Sequence, residues 1–513
     1  MRQESWSWRR GLLVVACLAM VAVACGGDDD DSSGGDTGGS GDDAEPLVIA
    51  VGTEPSTLDV QAVNDRNARV FTSNVFESML GRDDEAEIVP VLAESYESVD
   101  DSHWQFQLRD DVTFHNGEPF DAAAAAFSIN RIIDPAYETQ RTSYIEGIVG
   151  AEAVDEYTVE IETDGPNATL PIQMTQIQMV PPEAGAQPDF GENPVGTGPY
   201  EFVEWQRGTK ISARAYADYW GEAPEIGEFS VDVIPDAQTA LSALQAGEVD
   251  LVLDILPEQR DLAPESVSVP ATEFSYIAFN THIPELEDPR VRVAMNLAID
   301  KELIAETIYG GEAAPQPGQM LTEDMLGYNA DLEAFPYDPD EARDLLADAG
   351  YPDGFAITLN VPIGRYSKLE EAAEVVAGQL AEVGIEAELN QLEWNTFRED
   401  GRIPGTEAGA MDLKFAWNSN EWFDASRIIS HITCDGESSK YCNPEVDDLM
   451  AEAGATLDQD ARDELYQEVW AILDENPHAI YMLQQNLIYG LSDRLEWTPR
   501  LDDEYLVSEM AFG

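Results

Sequence analysis

Arg365 stands just past an apolar stretch, 355–361, after the turn-forming Pro362-Ile363-Gly364. A guanidinium at a strand end can grip a carboxylate through two parallel hydrogen bonds, each charge-assisted bond contributing about 1.5–3 kcal/mol. Trp394 follows a stretch ending near Leu392, Trp417 closes the stretch 413–416, and Asn420, Glu421, Trp422 and Asp424 come directly after it. Guanidinium, indole, amide and carboxylate groups at strand ends are groups for recognising a polar solute. Groups for catalysis are missing: the chain has no G-x-S-x-G elbow, and its five histidines, at 103, 115, 282, 431 and 478, show no metal-ligand spacing. Gly196-Thr197-Gly198-Pro199-Tyr200 is followed by proline and a strand in place of a helix, so no helix start cradles a phosphate there. No catalytic residue, metal or cofactor is expected.

Helices and strands must bring these groups together. Asp288-Pro289 supplies an N-cap and a first-turn proline, and Val291, Ala294, Met295, Ala298, Ile299 and Ile304 recur at helical spacing until Gly310-Gly311. The same grammar returns with Asp338-Pro339, Ala342, Leu345, Leu346, Ala349 and Gly350. A strand at 355–361, a helix from Lys368 to Gly384 and a strand at 385–389 form a βαβ unit, which implies parallel pairing in an α/β fold. Arg365 would then lie where a parallel sheet presents its loops to a crevice. Earlier in the chain a strand at 47–51 is followed by a helical pattern over 70–80 and, later, by two alternating strands, an Asn116-Gly117 turn and a helix capped by Asp121.

The 513 residues exceed a single core, so two lobes are expected. With 27 basic and 101 acidic residues the net charge is −74, which repels nucleic acid and bare anionic membranes. Hydrophobic residues make up 43% of the chain, enough to build cores in spite of that charge. The five lysines and the acidity fit a saline habitat and equally a compositional bias of the lineage. At the amino terminus Arg9-Arg10 precede an apolar run, 12–24, that is short for a membrane span and has the layout of a signal peptide. The Gly, Ser, Asp and Thr tract that follows reads as a solvated tether spanning about 25 Å over twenty residues.

Several phrases, in order, resemble one family. Pro55, Leu58 and Asp59, then 89–96, 104–120 and 127–131, then the Gly196–Tyr200 turn, Tyr219-Trp220-Gly221, 246–250, Phe279-Asn280, Asp288-Pro289-Arg290-Val291-Arg292, 298–302, Tyr337-Asp338-Pro339 and 349–352 are similar to the peptide/nickel class of solute-binding proteins of ABC importers. The resemblance covers about 46–513. It implies a two-lobe α/β fold of the periplasmic-binding-protein type, in its large class II form, with two crossings that make a hinge. The implied division is a signal peptide at 1–24, a lipidated Cys25 and tether at 25–45, one lobe at 46–276 with 480–513 and an extra subdomain near 85–190, and a second lobe at 277–479.

The resemblance also implies roles. Cys25, after Ala22-Val23-Ala24, is similar to a bacterial lipobox, with Ala where Leu is usual; Cys17 is the weaker alternative. Arg365 matches the position that receives a ligand carboxylate in peptide-binding relatives, and Trp394 and Trp417 match positions that pack ligand side chains; Trp422 is added for its proximity. Three residues after Trp417, where those relatives carry an aspartate for the ligand amine, this chain has Asn420, which brings no charge, and Glu421 or Asp424 could substitute. Cys434 and Cys442, around Tyr441-Cys442-Asn443-Pro444, match a disulfide of the family. The implied protein is a monomeric lipoprotein on the outer face of the cell membrane that hands a small solute, a peptide or peptide-like compound, to ABC permease and ATPase subunits. A sugar or nickel chelate, with His431 as a possible ligand, a sensing or chaperone module, and an enzyme on the same scaffold are the alternatives.

Overall fold

Side-chain caps open most of the α-helices in the computed structural model, which describes residues 45–253 and 255–513. The signal peptide expected at 1–24, the lipidation expected at Cys25 and nearly all of the tether lie outside the described residues. Asp288, Asp338 and Asp121 each accept a hydrogen bond from a first-turn N–H and open the helices Pro289–Leu297, Pro339–Asp348 and Ala122–Ile133. The βαβ unit is Phe355–Pro362, Leu369–Glu382 and Ile385–Leu392, with its two strands parallel. Gly354 and Gly384 open those strands at positive φ, and a side chain on Gly354 would meet the Gly384 carbonyl at 1.8 Å.

Two helices differ from the sequence reading. The run from Asp288 to Gly310 is two helices, because the Asp300 carboxylate accepts from the Leu303 N–H and starts Lys301–Thr307 afresh. Apolar spacing carries across the break since Ala298 and Ile299 are both buried. The helix expected over 70–80 runs instead from Arg66 to Val75, with Asp65 as its cap, and Leu80 begins the strand Leu80–Arg82. Its end is fixed from outside: the Gly198 N–H donates to the Val75 carbonyl (3.0 Å), and a side chain on Gly196 would overlap that oxygen at 1.9 Å. The glycines of the Gly196–Tyr200 turn thus serve close backbone packing.

Among the described residues an 11-stranded mixed sheet runs through the molecule. Its centre is an antiparallel pair of long strands, Glu265–Phe279 and Ala479–Leu491. On one side follow Leu413–Ser419 and the βαβ strands; on the other follow Leu251–Val252, Leu47–Val51 and Glu228–Val233. The central pairing loses register between Pro270 and Phe274. Before that break, Val267 and Val269 pack on a core with Leu47, Ile49, Phe71 and Phe229; beyond it, Ile277 and Phe279 belong to another with Val291, Leu359 and Val376. A four-stranded antiparallel sheet, built from Ala93–Asp100, His103–Leu108, Thr158–Thr163 and Ile148–Ala153, has its own core around Phe106, Ile129 and Ile161.

The family-like phrases of the second half are structural. Arg292 is buried and donates to the carbonyls of Pro477 (2.8 Å) and Glu287 (3.0 Å), tying its helix to the turn before the return strand. Lys301 is buried too, donates to the Asn296 carbonyl (2.9 Å), and has its pKa pulled down to about 7 by burial. His478 lies beside Arg292, bonded through Nδ1 to the Tyr481 hydroxyl (3.2 Å), and burial lowers its pKa to about 3. A histidine of the unfolded chain titrates near 6.5. As pH falls below that value the unfolded chain gains a proton that the folded one refuses, so stability is lost on acidification, by about 2 kcal/mol between pH 7 and pH 5. Urea unfolding at the two pH values should therefore show a smaller loss for His478→Gln than for the natural chain; equal losses would exclude this origin.

Candidate functional site

Both central strands turn irregular at the wall of one cavity. Ala271, Thr272 and Glu273, the residues where the pairing shifts, and Leu487, the partner of Val269 just before the shift, line a space of about 240 Å³. From one side the loop after Phe355–Pro362 contributes Arg365 and Tyr366, and Leu413–Ser419 contributes Trp417, Asn418 and Ser419. From the other side come Arg66 and Arg69, one turn apart on their helix, together with Tyr144 and the carboxyl-terminal Asp502 and Asp503.

Charge in this cavity is largely matched. Arg66 pairs with Asp503 (2.6 Å) and Arg69 reaches the same carboxylate at 3.4 Å. Burial works against ionisation of Asp503, but Arg66 and Arg69 outweigh it and hold its pKa below the usual range. Arg427 pairs with Glu421 through Oε1 (3.1 Å), and the Tyr144 hydroxyl donates to that same oxygen. Burial raises the Glu421 pKa, yet the Arg427 charge and the Tyr144 hydroxyl prevail and keep it lowered, so the group is a carboxylate. Its Oε2 is buried without a protein partner, as are Asn418 Nδ2 and Trp417 Nε1. Buried polar atoms are seldom left unpaired, and four on the lining residues of one cavity, Arg69 Nε with these three, mark a place for a polar guest.

Arg365 is exposed at the cavity edge, with its guanidinium over the rings of Tyr366 (5.1 Å) and Trp394 (5.2 Å) and no hydrogen bond or ion pair among the described residues. Its loop is held by the Gly364 N–H donating to Glu370 (2.6 Å) and by Lys368 pairing with Glu258 (3.0 Å). Tyr366 stacks on Trp417 at 4.9 Å, and the pair forms one wall. Behind that wall lies a second cavity, of about 160 Å³, lined by Trp394, Phe397 and Lys414 among others.

The structure therefore brings Arg365 and Trp417 to the cavity and sets Trp394 one layer behind. Asn420 and Trp422 are elsewhere. Asn420 is fully buried beneath the floor, its backbone N–H donating to the Thr272 carbonyl (2.9 Å) and both amide atoms lacking protein partners. Trp422 is buried against Tyr144 and Ile172, and its carbonyl accepts from Arg82. Asp424, the other carboxylate that could substitute for an amine-binding aspartate, is spent on Arg462 (3.0 Å) and on the Ser426 N–H (2.8 Å). Cys434 and Cys442 are joined in a disulfide. His431 is half-buried with Nδ1 on the Tyr276 hydroxyl (3.2 Å), and among the described residues no group of three His, Cys, Asp or Glu is placed for a metal ion.

Comparison with known proteins follows the same lines. Residues 87–440 match the family model for the bacterial extracellular solute-binding proteins, family 5. The glutathione-binding protein GsiB of Shigella flexneri serotype 5b is 28% identical over 470 residues, covering 88% of this chain and 91% of the relative. The structure of HbpA2 from Haemophilus parasuis superposes with a TM-score of 0.81 at 24% identity, over 91% of this chain and 99% of that one. DppA from Helicobacter pylori, solved in complex with the peptide STSA, superposes with a TM-score of 0.73 at 23% identity, over 91% and 98% of the two chains.

Proposed function

The chain belongs to the bacterial extracellular solute-binding proteins of family 5, and we propose that the solute it captures is a small peptide or peptide-like compound carrying a carboxylate and a cationic group. One observation carries the reading: across a cavity of about 240 Å³, an arginine with no acidic partner faces a buried carboxylate with one oxygen left open. Arg365 receives the carboxylate of the solute, Glu421 receives its ammonium, and Trp417 with Tyr366 packs against its body. Glu421 supplies the charge that Asn420 does not. The volume lies just under the range of about 300–1,000 Å³ common for small-molecule sites, which favours a short solute. The glutathione-binding relative supports a peptide-like ligand.

In this reading 46–276 with 480–513 and 277–479 are lobes that close on the solute, with an extra subdomain near 85–190. The lost register at Pro270–Phe274, at the cavity itself, supports a hinge there and a crossing a few residues before Ile277. Lipidation at Cys25 holds the monomer at the outer face of the membrane, and the loaded protein delivers its solute to permease and ATPase subunits of an importer. Gently purified protein, weighed by native mass spectrometry and then denatured, should release a peptide-like compound. Release of a sugar or a metal chelate, or an empty protein with no thermal shift across dipeptides, would sink the proposal.

A further inference from the structure

The second cavity, behind the Tyr366–Trp417 wall, is basic in a chain where 101 acidic residues face 27 basic ones. Lys414, Arg398 and Arg402 line it together with the rings of Trp394 and Phe397, and its lining includes no aspartate or glutamate. Arg402 pairs with Glu437 (2.8 Å), which lies outside the lining. Arg398 and Lys414 have neither an ion pair nor a hydrogen bond among the described residues; each is near a ring, Arg398 at 6.0 Å from Trp394 and Lys414 at 5.7 Å from Phe397. A surface lysine would swing into water, but this one rises from a sheet strand into an aromatic-walled space, its Nζ 3.2 Å from where a side chain on Gly401 would begin. Gly401 leaves the room that the ammonium occupies.

The half-buried Lys414 ammonium has shed part of its water and gained no counter-ion, a costly arrangement that an anion would complete, and the exposed Arg398 and Arg402 stand at the mouth of the same space. The groups around it make this explicit. Burial pulls the Lys414 pKa down to about 8, and Lys440, Arg402 and Arg398 push the same way against Glu437 alone. Lys440 offers nothing to a guest, since its Nζ donates to the carbonyls of Gly401 (2.9 Å) and Ile403 (2.7 Å). His431, on the remaining side, is held neutral by burial and by the Lys414 charge.

We infer that this cavity is an anion subsite of the solute site, built to take a second acidic group, so that the preferred solutes are acidic peptide-like compounds. The inference rests on the reading of the first cavity as the solute site. Tyr366 and Trp417 line both spaces, and Arg365 bridges them by stacking on Tyr366 in the shared wall and on Trp394 in the second cavity. Backbone groups of the solute lie in the first space and the acidic side chain turns past the wall to Lys414 and Arg398. Taken together the two volumes enter the usual range for small-molecule sites.

The test compares the near-isosteric dipeptides Ala-Glu and Ala-Gln by calorimetry on the full chain, freed of bound solute, and on Lys414→Gln and Arg398→Gln. The natural chain should favour Ala-Glu by about tenfold or more, the scale of one charge-assisted hydrogen bond, and the ratio should fall towards one in Lys414→Gln. At pH 8, binding of Ala-Glu should also take up more protons in the natural chain than in Lys414→Gln, the excess being the recharged lysine over the uptake by the solute's own amine, which both chains share. No preference for Ala-Glu, or a preference that survives in both variants, overturns the subsite. If neither dipeptide binds, the peptide reading fails, and glutarate decides the subsite by itself. Quenching of tryptophan fluorescence that disappears in Lys414→Gln upholds it; quenching that persists, or none, overturns it.

Discussion

Arg365→Met should weaken binding of Ala-Glu by about tenfold to a hundredfold, read by calorimetry, while the urea midpoint stays put. The first expectation follows from one or two charge-assisted hydrogen bonds at about 1.5–3 kcal/mol each, set against the solvent screening of an exposed group. The second follows from what Arg365 does not do in the fold. It is exposed, forms no ion pair among the described residues, and touches only the faces of Tyr366 and Trp394, so its removal should shift stability by about 0.5 kcal/mol or less. Arg365→Lys separates charge from shape. A lysine keeps the positive charge but offers no planar fork and stacks poorly on two rings, so it should recover only part of the loss. A drop below about threefold for Arg365→Met would remove this residue from the solute site.

What could be read before the structure divides by distance along the chain. Asp121, Asp288 and Asp338 each cap a helix through the N–H of a residue two or three positions on, and such signals lie wholly within a short window. The βαβ unit was legible for the same reason, as helix stops at Gly350 and Gly384 sit next to the strands they release. Periodicity misled where burial has another cause. Val75, Phe76, Met79 and Leu80 are all buried, but the Gly196–Tyr200 turn, over a hundred residues later, closes the helix at Val75. The site was legible only in part. Arg365 and Trp417 stand at strand ends in the local pattern, whereas Arg66 and Arg69 depend on Asp503, more than four hundred residues away. The helical pattern read over 70–80 leaves both arginines outside it, so neither their shared helix face nor their partner was visible. At Asn420-Glu421-Trp422 three consecutive side chains part company, so that the middle one reaches the cavity while its neighbours are packed elsewhere.

That parting makes Glu421 and Asp424, three residues apart, opposite in kind. Asp424 sits with Arg462 in a buried pair, their side chains 1% and 8% exposed, and Arg462 also donates to the Ala168 carbonyl (2.8 Å). Asp424→Ala would strand that guanidinium without its counter-charge, and breaking a buried pair by one partner costs about 3–5 kcal/mol. Its urea midpoint should fall accordingly, and any protein that remains folded should keep its discrimination between free and blocked amines. Glu421→Gln behaves the other way. Gln can still accept from Tyr144 and Arg427 through its carbonyl oxygen, but the charge that would meet a solute ammonium is gone. Affinity for Ala-Glu should fall by about tenfold or more, and N-acetylated Ala-Glu should lose little further, because the two changes delete the same contact. In the natural chain acetylation alone should cost as much as the substitution. Full additivity of the two losses would mean that the ammonium lies elsewhere, and the open Oε2 of Glu421 would then belong to water.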